Sequence, residues 1–330
     1  MAKRKNFNID HIHRYKRIAV KTMVFMLAVV IILFAWNGGD IWHHILKVPP
    51  AVLGLMLTAS LVENTLRIYR YKIFAEELEL PVPWRWMIVY YVAGMALLPT
   101  PGKVGVTLRL WLLNYHHHIP YRHSAPLLVM DVVTDTIAMM LLIGLGIAAM
   151  GHANGTMLGL VAMSGLLAAV FVILTLPKLA RSGVKLLYRL TGKRWPRLFA
   201  GINALIHFLH VMMGWRVLLL CTLLSFVAWA GFGLALSGSL LLMGYDAHWL
   251  LGGFAVSLST VLGVVSMAPA GVGGAEASLA AIIVKASQVP WETALILTLL
   301  VRTALIWIPV LIGFLTLPWA LNGPEDSKKG

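Results

Sequence analysis

Six ionisable side chains lie within or beside otherwise apolar stretches of the sequence. Three are basic and three are acidic: Lys103, Arg109, Arg302, Asp131, Asp135 and Glu276. Each would cost about 2.5–3.5 kcal/mol at the centre of a membrane-spanning helix, so we expect these charges to have partners there. One interpretation is a structural charge network in which the two signs pair. The other is a binding site, in which basic members hold a phosphate and acidic members balance them or bind an amine or a proton.

Two segments rich in proline and glycine accompany these charges, at residues 98–105 and 267–276. A helix that restarts after such a break points its backbone N–H groups and positive dipole end at whatever lies in front of it. Glycine also lets a backbone approach a ligand closely. The sequence therefore adds six backbone positions to the candidate substrate-binding set: Pro101, Gly102, Gly105, Pro269, Gly271 and Gly273.

The composition is that of an integral membrane protein. Hydrophobic residues make up 59% of the 330 positions and charged residues 12%, whereas a soluble domain has about 25% charged residues. The formal charge of +14 comes from basic residues clustered at the ends of apolar runs, so anionic lipid rather than nucleic acid is the expected partner. The first apolar run lacks a small-residue cleavage site and is interpreted as a retained anchor.

Charge-free runs predict an all-α membrane domain with about six transmembrane helices. The runs are Thr22–Gly39, Val48–Val62, Thr136–Pro177 as a two-helix hairpin, Val217–Tyr245 and Thr303–Pro324. This organisation predicts a basic N-terminal arm at residues 1–17, one membrane domain at 18–322 and a tail at 323–330. The arm, the loop 178–216 and the segment 67–85 carry most basic residues, which places both termini in the cytoplasm and the protein in the inner membrane. An interfacial helix is expected within residues 185–213.

The two interrupted segments, at about 87–114 and 249–287, are predicted to be re-entrant hairpins. Backbone groups freed by proline and glycine survive at membrane depth only when they are buried in protein or line a wet cavity. The breaks have the same spacing, and each is followed by a similar tripeptide, at residues 119–121 and 289–291. Under the predicted topology the hairpins enter from opposite sides. That makes an inverted repeat, which points to a transporter's binding site, with chance similarity as the alternative.

Metals and cofactors are not expected. The three histidines at 116–118 are consecutive and cannot all face one ion, and no cysteine or carboxylate is adjacent to them. Cys221 is the only cysteine, which excludes an internal disulfide. No Gly-x-x-x-x-Gly-Lys-Ser/Thr run is present, so ATP binding is not predicted.

These motifs resemble the lysylphosphatidylglycerol synthase transmembrane family, a flippase-like domain, over roughly residues 15–320. Residues 269–276 fit its Pro-x-Gly-x-Gly-x-x-Glu motif, and Arg302 with Pro309 fits the helix that follows. Residues 101–105 fit the first motif and Asp135 its downstream aspartate. There are two departures: Val106 replaces a usual glutamate, and Asp131-Val132 replaces Glu-Arg.

The resemblance implies a protein that moves or holds lipids, such as aminoacylated phospholipids, polyprenyl-phosphate sugars or hopanoid-related lipids. No soluble aminoacyl-transferase domain follows in the sequence, so synthase activity is not expected. Glu276 and Arg302 are expected to be coupled, either directly or through a shared ligand.

Three functions remain open at this point. The preferred one is translocation of a phosphate-bearing lipid between leaflets, by a transporter that is not an enzyme. The second is a non-transporting lipid-binding scaffold for an envelope-lipid enzyme. The third is a membrane enzyme that uses Asp131, Asp135 or Glu276. A homo-oligomer, or association with a lipid-synthesis enzyme, is left open.

Overall fold

The computed structural model describes residues 48–100, 107–150, 177–192, 196, 199–200, 214–266 and 268–324. Within these ranges the chain forms ten α-helices and no strand, which confirms the all-α class. They are α1 Pro50–Glu77, α2 Trp84–Met95, α3 Thr107–His117, α4 Tyr121–Met150, α5 Pro177–Leu190, α6 Trp215–Leu242, α7 Trp249–Val265, α8 Gly274–Ser287, α9 Trp291–Arg302 and α10 Ile308–Asn322. A short 3₁₀ turn, Pro269–Gly271, precedes α8, and a π-helical turn, Thr303–Trp307, joins α9 to α10.

In the part of the chain that the structure describes, four helical stretches are long and apolar enough to cross a membrane: α1, α4, α6 and the continuous stretch Trp291–Asn322. The predicted span 22–39 and the second half of the 136–177 hairpin lie outside the described residues. The predicted 48–62 span is longer in the structure, because α1 continues to Glu77. Arg67 and Arg70, which the sequence placed in a basic segment at the membrane surface, lie inside this helix. They remain there because two carboxylates of α4, and Glu63 of α1 itself, pair with them.

The helices on either side of the two breaks are short. They contain 12 and 11 residues (α2 and α3) and 17 and 14 residues (α7 and α8). At about 1.5 Å per residue, none of them reaches across ~30 Å of hydrocarbon. Residues 101–106, between α2 and α3, lie outside the described residues.

The two halves of the chain repeat one order of elements, long–short–short–long, in α1–α4 and again in α6–α10. The turn before the last helix is the same in both. His118 and Gln288 have φ of 55° and 51°, and each is followed by a buried aliphatic residue and a proline that precedes the next helix. The halves also exchange partners, since α2 packs on α10, α7 packs on α4, and the long helices α1 and α6 pack on each other. The order of elements and this turn are therefore repeated in the two halves. That the repeat is inverted stays a prediction.

Glycines allow the closest helix crossings. A Cβ added at Gly252 of α7 would lie 1.8 Å from the carbonyl oxygen of Gly233 on α6. A Cβ at Gly313 of α10 would lie 2.3 Å from the backbone nitrogen of Ala96, just after α2. Small residues at helix crossings are the usual way in which membrane helices achieve close van der Waals packing.

The π-helical turn between α9 and α10 lies directly before Pro309 and leaves one carbonyl without a backbone donor. The Ile308 N–H donates to the Thr303 carbonyl, five residues back. In this register the next carbonyl, that of Ala304, would require an N–H from Pro309, which has none. The Ser60 hydroxyl of α1 donates to the Ala304 oxygen instead, at 2.7 Å. Ser60 thereby joins α1 to the stretch that begins directly after Arg302.

Ser60→Ala is expected to destabilise the protein by about 1–3 kcal/mol, because the buried Ala304 carbonyl loses its partner. The measurement is the thermal unfolding midpoint in detergent. Thr65→Ala on the exposed face of α1 is the matched control, since its hydroxyl bonds only to Leu61 of its own helix. Equal midpoints for the two variants would contradict this account of the π-helical turn.

Helix α5 is amphipathic. Arg181, Lys185 and Arg189 recur along one side of it, while Leu186, Leu187 and Leu190 are exposed. This pattern is typical of a helix that lies in a membrane interface. The sequence predicted such a helix within 185–213. The described helix begins earlier and ends at Leu190, and most of 193–213 lies outside the described residues.

Candidate functional site

Three helices bring six charged side chains together in the core, in what we call the charge network. Its members are Glu63, Arg67 and Arg70 on α1, Arg109 on α3, and Asp131 and Asp135 on α4. The α1 members are spaced i, i+4, i+7 and the α4 members i, i+4, so each helix presents its charges on one face. Three arginines and three carboxylates make the network formally neutral.

Arg70 lies at the centre of the charge network and is 1% exposed. Its two terminal nitrogens donate to Asp131, to Asp135 and to the Ser225 hydroxyl on α6. The planar guanidinium can address several acceptors at once, which a lysine at this position could not do in the same geometry. Arg67 extends the pairing, with its Nη1 lying 3.0 Å from Asp135 Oδ2 and its Nε paired with Glu63.

Arg109 lacks the short carboxylate contacts that the other two arginines make. Its guanidinium carbon lies 3.7 Å from the ring centre of Tyr91 and 5.6 Å from that of Tyr71, both cation–π contacts. The nearest carboxylate oxygen, Asp131 Oδ2, is 3.7 Å from its Nη1, which is beyond hydrogen-bond distance. Arg109 is 2% exposed, and its Nε and Nη1 are buried without a hydrogen-bond partner among the described residues. Among the described residues it is therefore a buried cation with two unused donors.

The second site is an ion pair at the start of α8. Glu276 Oε1 accepts from Arg302 Nε at 2.7 Å, and its Oε2 accepts from the Gly273 N–H at 2.7 Å. The second contact is the backbone half of a capping box, in which a first-turn glutamate satisfies the N–H of the N-cap residue. Arg302 also donates to the Ala270 carbonyl in the 3₁₀ turn. The expected coupling of Glu276 and Arg302 is seen as a direct ion pair.

The Pro-Ala-Gly-Val-Gly break has an unusual backbone. Ala270, Gly271 and Gly273 have φ of 56°, 71° and 87°, a region that favours glycine. A Cβ at Gly271 would also lie 2.9 Å from the Cα of Gly263 on α7. The predicted close approach at Gly271 is thus made to a neighbouring helix, and it holds the turn so that the Ala270 carbonyl faces Arg302.

The two sites lie near each other through α1. Ser60, one turn before Glu63, bonds to Ala304, two residues after Arg302. The first-break residues lie outside the described residues: Pro101, Gly102, Lys103, Gly105 and the neighbouring Val106. That the two breaks approach one another stays a prediction. Of the described site residues, Arg109, Asp131 and Asp135 come together in the charge network, and Glu276 and Arg302 in the second site.

Sequence reasoning missed Glu63, Arg67 and Arg70 as a site. The available signal was their i, i+4, i+7 spacing, which places all three on one face if the helix continues past Val62. Ser225 carried no distinguishing signal, because a lone serine in an apolar run is common. Its contact with Arg70 comes from α6 and depends on the tertiary structure.

The consecutive histidines have separate partners. His116 donates its Nε2–H to the Ala320 carbonyl at 3.1 Å, and the His117 ring lies 3.1 Å from the Tyr90 hydroxyl. In the described part of the chain no group of three or more His, Cys, Asp or Glu side chains is placed to hold a metal ion. His116 is buried.

Buried arginine–carboxylate sites among membrane-spanning helices, beside a Pro/Gly helix break, define a polytopic membrane protein with a polar intramembrane site. Residues 18–313 match the family described as Lysylphosphatidylglycerol synthase TM region. The chain belongs to this family. A comparison with curated protein sequences found no match.

Proposed function

We propose that the protein moves a lipid with a phosphate-containing headgroup between the leaflets of the inner membrane. Family membership supports a membrane function related to lipid. The single observation that carries the proposal is Arg109, a fully buried cation held over two tyrosine rings with donors that the described residues leave unused. Keeping such a group in the core is costly unless a further acceptor completes it.

A phosphate is the acceptor that this site suits best. Arginine binds phosphate through parallel charge-assisted N–H bonds, and Nε with one Nη is the pair of donors that such binding uses. Asp131 is engaged by Arg70 and lies only 3.7 Å from Arg109, so an anion could take over Arg109 without breaking a hydrogen bond. Asp131 and Asp135 would balance the remaining arginines or bind a headgroup amine or proton. Lys103 stays a predicted contributor.

In this proposal the second site assists at the other break. Glu276 is the more accessible partner, with 24% of its side chain exposed against 10% for Arg302. A headgroup reaching the start of α8 would meet this pair and the first N–H groups of the helix. We infer that α2–α3 and α7–α8 are re-entrant hairpins entering from opposite sides, as their lengths and the repeated fold suggest.

Arg109→Gln is expected to slow lipid movement about tenfold or more, because it removes charge-assisted hydrogen bonds worth about 1.5–3 kcal/mol. The measurement is dithionite quenching of fluorescent phosphatidylglycerol in proteoliposomes. Arg85→Gln on the exposed side of α2 is the control for the loss of one positive charge. Equal rates for the two variants, each folded by its unfolding midpoint, would remove Arg109 from the lipid path.

Both termini are expected in the cytoplasm. Reporter fusions at residue 1 and at residue 330, one active only in the cytoplasm and one only outside it, would measure this. The basic arm and the basic α5 region motivate the expectation. Termini on opposite sides would contradict the inverted arrangement of the two hairpins.

A lipid-binding scaffold is the second candidate, and one observation favours it. The charge network is formally neutral and mostly satisfied by its own members, as a purely structural network would be. A scaffold would retain lipid without moving it, so lipid found by native mass spectrometry with no movement in proteoliposomes would select it. The enzyme alternative is weaker, since Asp131, Asp135 and Glu276 each pair with an arginine, which suits charge balance better than nucleophilic or acid–base work.

A further inference from the structure

An apolar groove lies between α4, α6 and the start of α7. Its wall includes Leu142 and Leu145 of α4, Phe226, Ala230 and Leu234 of α6, and Trp249 of α7, and it encloses a volume of about 150 Å³. Such a lining offers water no hydrogen-bond partners and suits hydrocarbon. Leu145, Leu234 and Trp249 are exposed, so the groove opens onto the lipid-facing surface.

The groove and the charge network are joined through α6, which contributes neighbouring residues to both. On α6, Phe226 follows Ser225, which accepts from Arg70, and Ala230 follows Trp229, whose ring centre lies 5.2 Å from the Arg67 guanidinium. In each of these two turns of α6, one residue therefore contacts an arginine of the charge network and the next residue lines the groove.

The groove and the charge network are also joined along α4. Asp131, Asp135, Leu142 and Leu145 follow one helical face at spacings of four, seven and three residues. The face that carries the carboxylates thus becomes, two turns later, a wall of the groove.

We propose that this groove holds an acyl chain of the lipid whose headgroup reaches Arg109. The inference rests on the proposed function and narrows its substrate to a lipid, because a free phosphate anion has nothing to place there. From Asp135 to Leu145 the helix advances about 15 Å, half of the ~30 Å hydrocarbon thickness. A chain lying along this distance would span one leaflet. Trp249, 62% exposed at the outer end, has the character of an interfacial residue.

The test uses the full chain in lipid nanodiscs with phosphatidylglycerol that carries a diazirine at the end of one acyl chain. After illumination, crosslinks are expected to concentrate on residues 142–145 and 226–234, and excess unlabelled phosphatidylglycerol should reduce them. Leu311 and Leu315 of α10 are exposed, do not line this groove, and give the background. Labelling equal to that background, or insensitive to competition, would overturn the inference.

Filling the groove supplies the matched variants. Ala230→Trp should lower both groove labelling and lipid movement several-fold, whereas Leu223→Trp, on the lipid-exposed face of α6, should lower neither. Arg109→Gln should also reduce groove labelling. Lipid movement without groove labelling would overturn the acyl-chain site and leave the proposed function standing. Competable groove labelling in the unchanged protein, with no lipid movement by that protein, would support the acyl-chain site and sink the proposed function. Groove labelling that Arg109→Gln leaves unchanged would separate the groove from Arg109 and overturn the inference.

Discussion

Asp135→Asn is expected to destabilise the protein by about 3–5 kcal/mol, the cost of breaking a buried ion pair by removing one partner. Asp135 accepts from Arg70 and lies 3.0 Å from Arg67, so its neutralisation leaves two buried guanidinium groups short of countercharge. The side-chain amide of asparagine would also point its N–H donors at the N–H donors of the two arginines. The measurement is the thermal unfolding midpoint in detergent, together with the yield of monodisperse protein.

Asp246→Asn is the control, because Asp246 is exposed in the turn between α6 and α7 and an exposed carboxylate contributes little. A double-mutant cycle between Asp135→Asn and Arg67→Gln sharpens the test. We expect the double variant to be more stable than the sum of the single effects predicts, since the second change removes one of the uncompensated charges. Simple additivity would mean that the two side chains do not interact as the structure shows.

Glu276→Gln is expected to have the second-largest effect, about 3 kcal/mol, at the low end of the range for buried pairs because the Glu276 side chain is partly exposed. It removes the charge that Arg302 meets at 2.7 Å and weakens the cap on the Gly273 N–H. Glu292→Gln, exposed in the first turn of α9, is the matched control. Stability and lipid movement would both be measured.

The two readouts separate the roles of the Glu276–Arg302 pair. Loss of lipid movement with stability preserved would place Glu276 in the substrate path. Loss of both together would support a structural pair that holds α8 against α9. Equal behaviour of Glu276→Gln and Glu292→Gln in both measurements would remove Glu276 as a site residue.

The all-helical membrane class could be predicted from the sequence alone. Composition determined the membrane class, because a chain with 12% charged residues cannot build a water-exposed surface. The lengths of the charge-free runs determined the helices. The Pro/Gly spacing of the two breaks and the matching tripeptides after them indicated the internal repeat. The structure shows the same turn after both breaks, at His118 and Gln288, whereas the inverted arrangement stays a prediction. A turn of this kind depends on only a few adjacent residues, so a sequence can indicate it.

The Glu276–Arg302 pair was also within reach of sequence reasoning. Both are isolated charges in apolar stretches 26 residues apart, and an isolated buried charge needs a partner. Few charges lie in apolar stretches in that half of the chain, so each of the two had few possible partners.

Only the tertiary structure decided the composition of the charge network. The sequence interpretation ended the second span at Val62, because a run of charges normally marks a helix end at the membrane surface. Arg70 is instead buried by carboxylates 61 and 65 residues away, and by Ser225 at a separation of 155. Whether a charge leaves the membrane or stays depends on the free energy of pairing across helices. That free energy depends on which helix faces pack together. A single sequence indicates which residues share a helix face, but not which faces pack against each other.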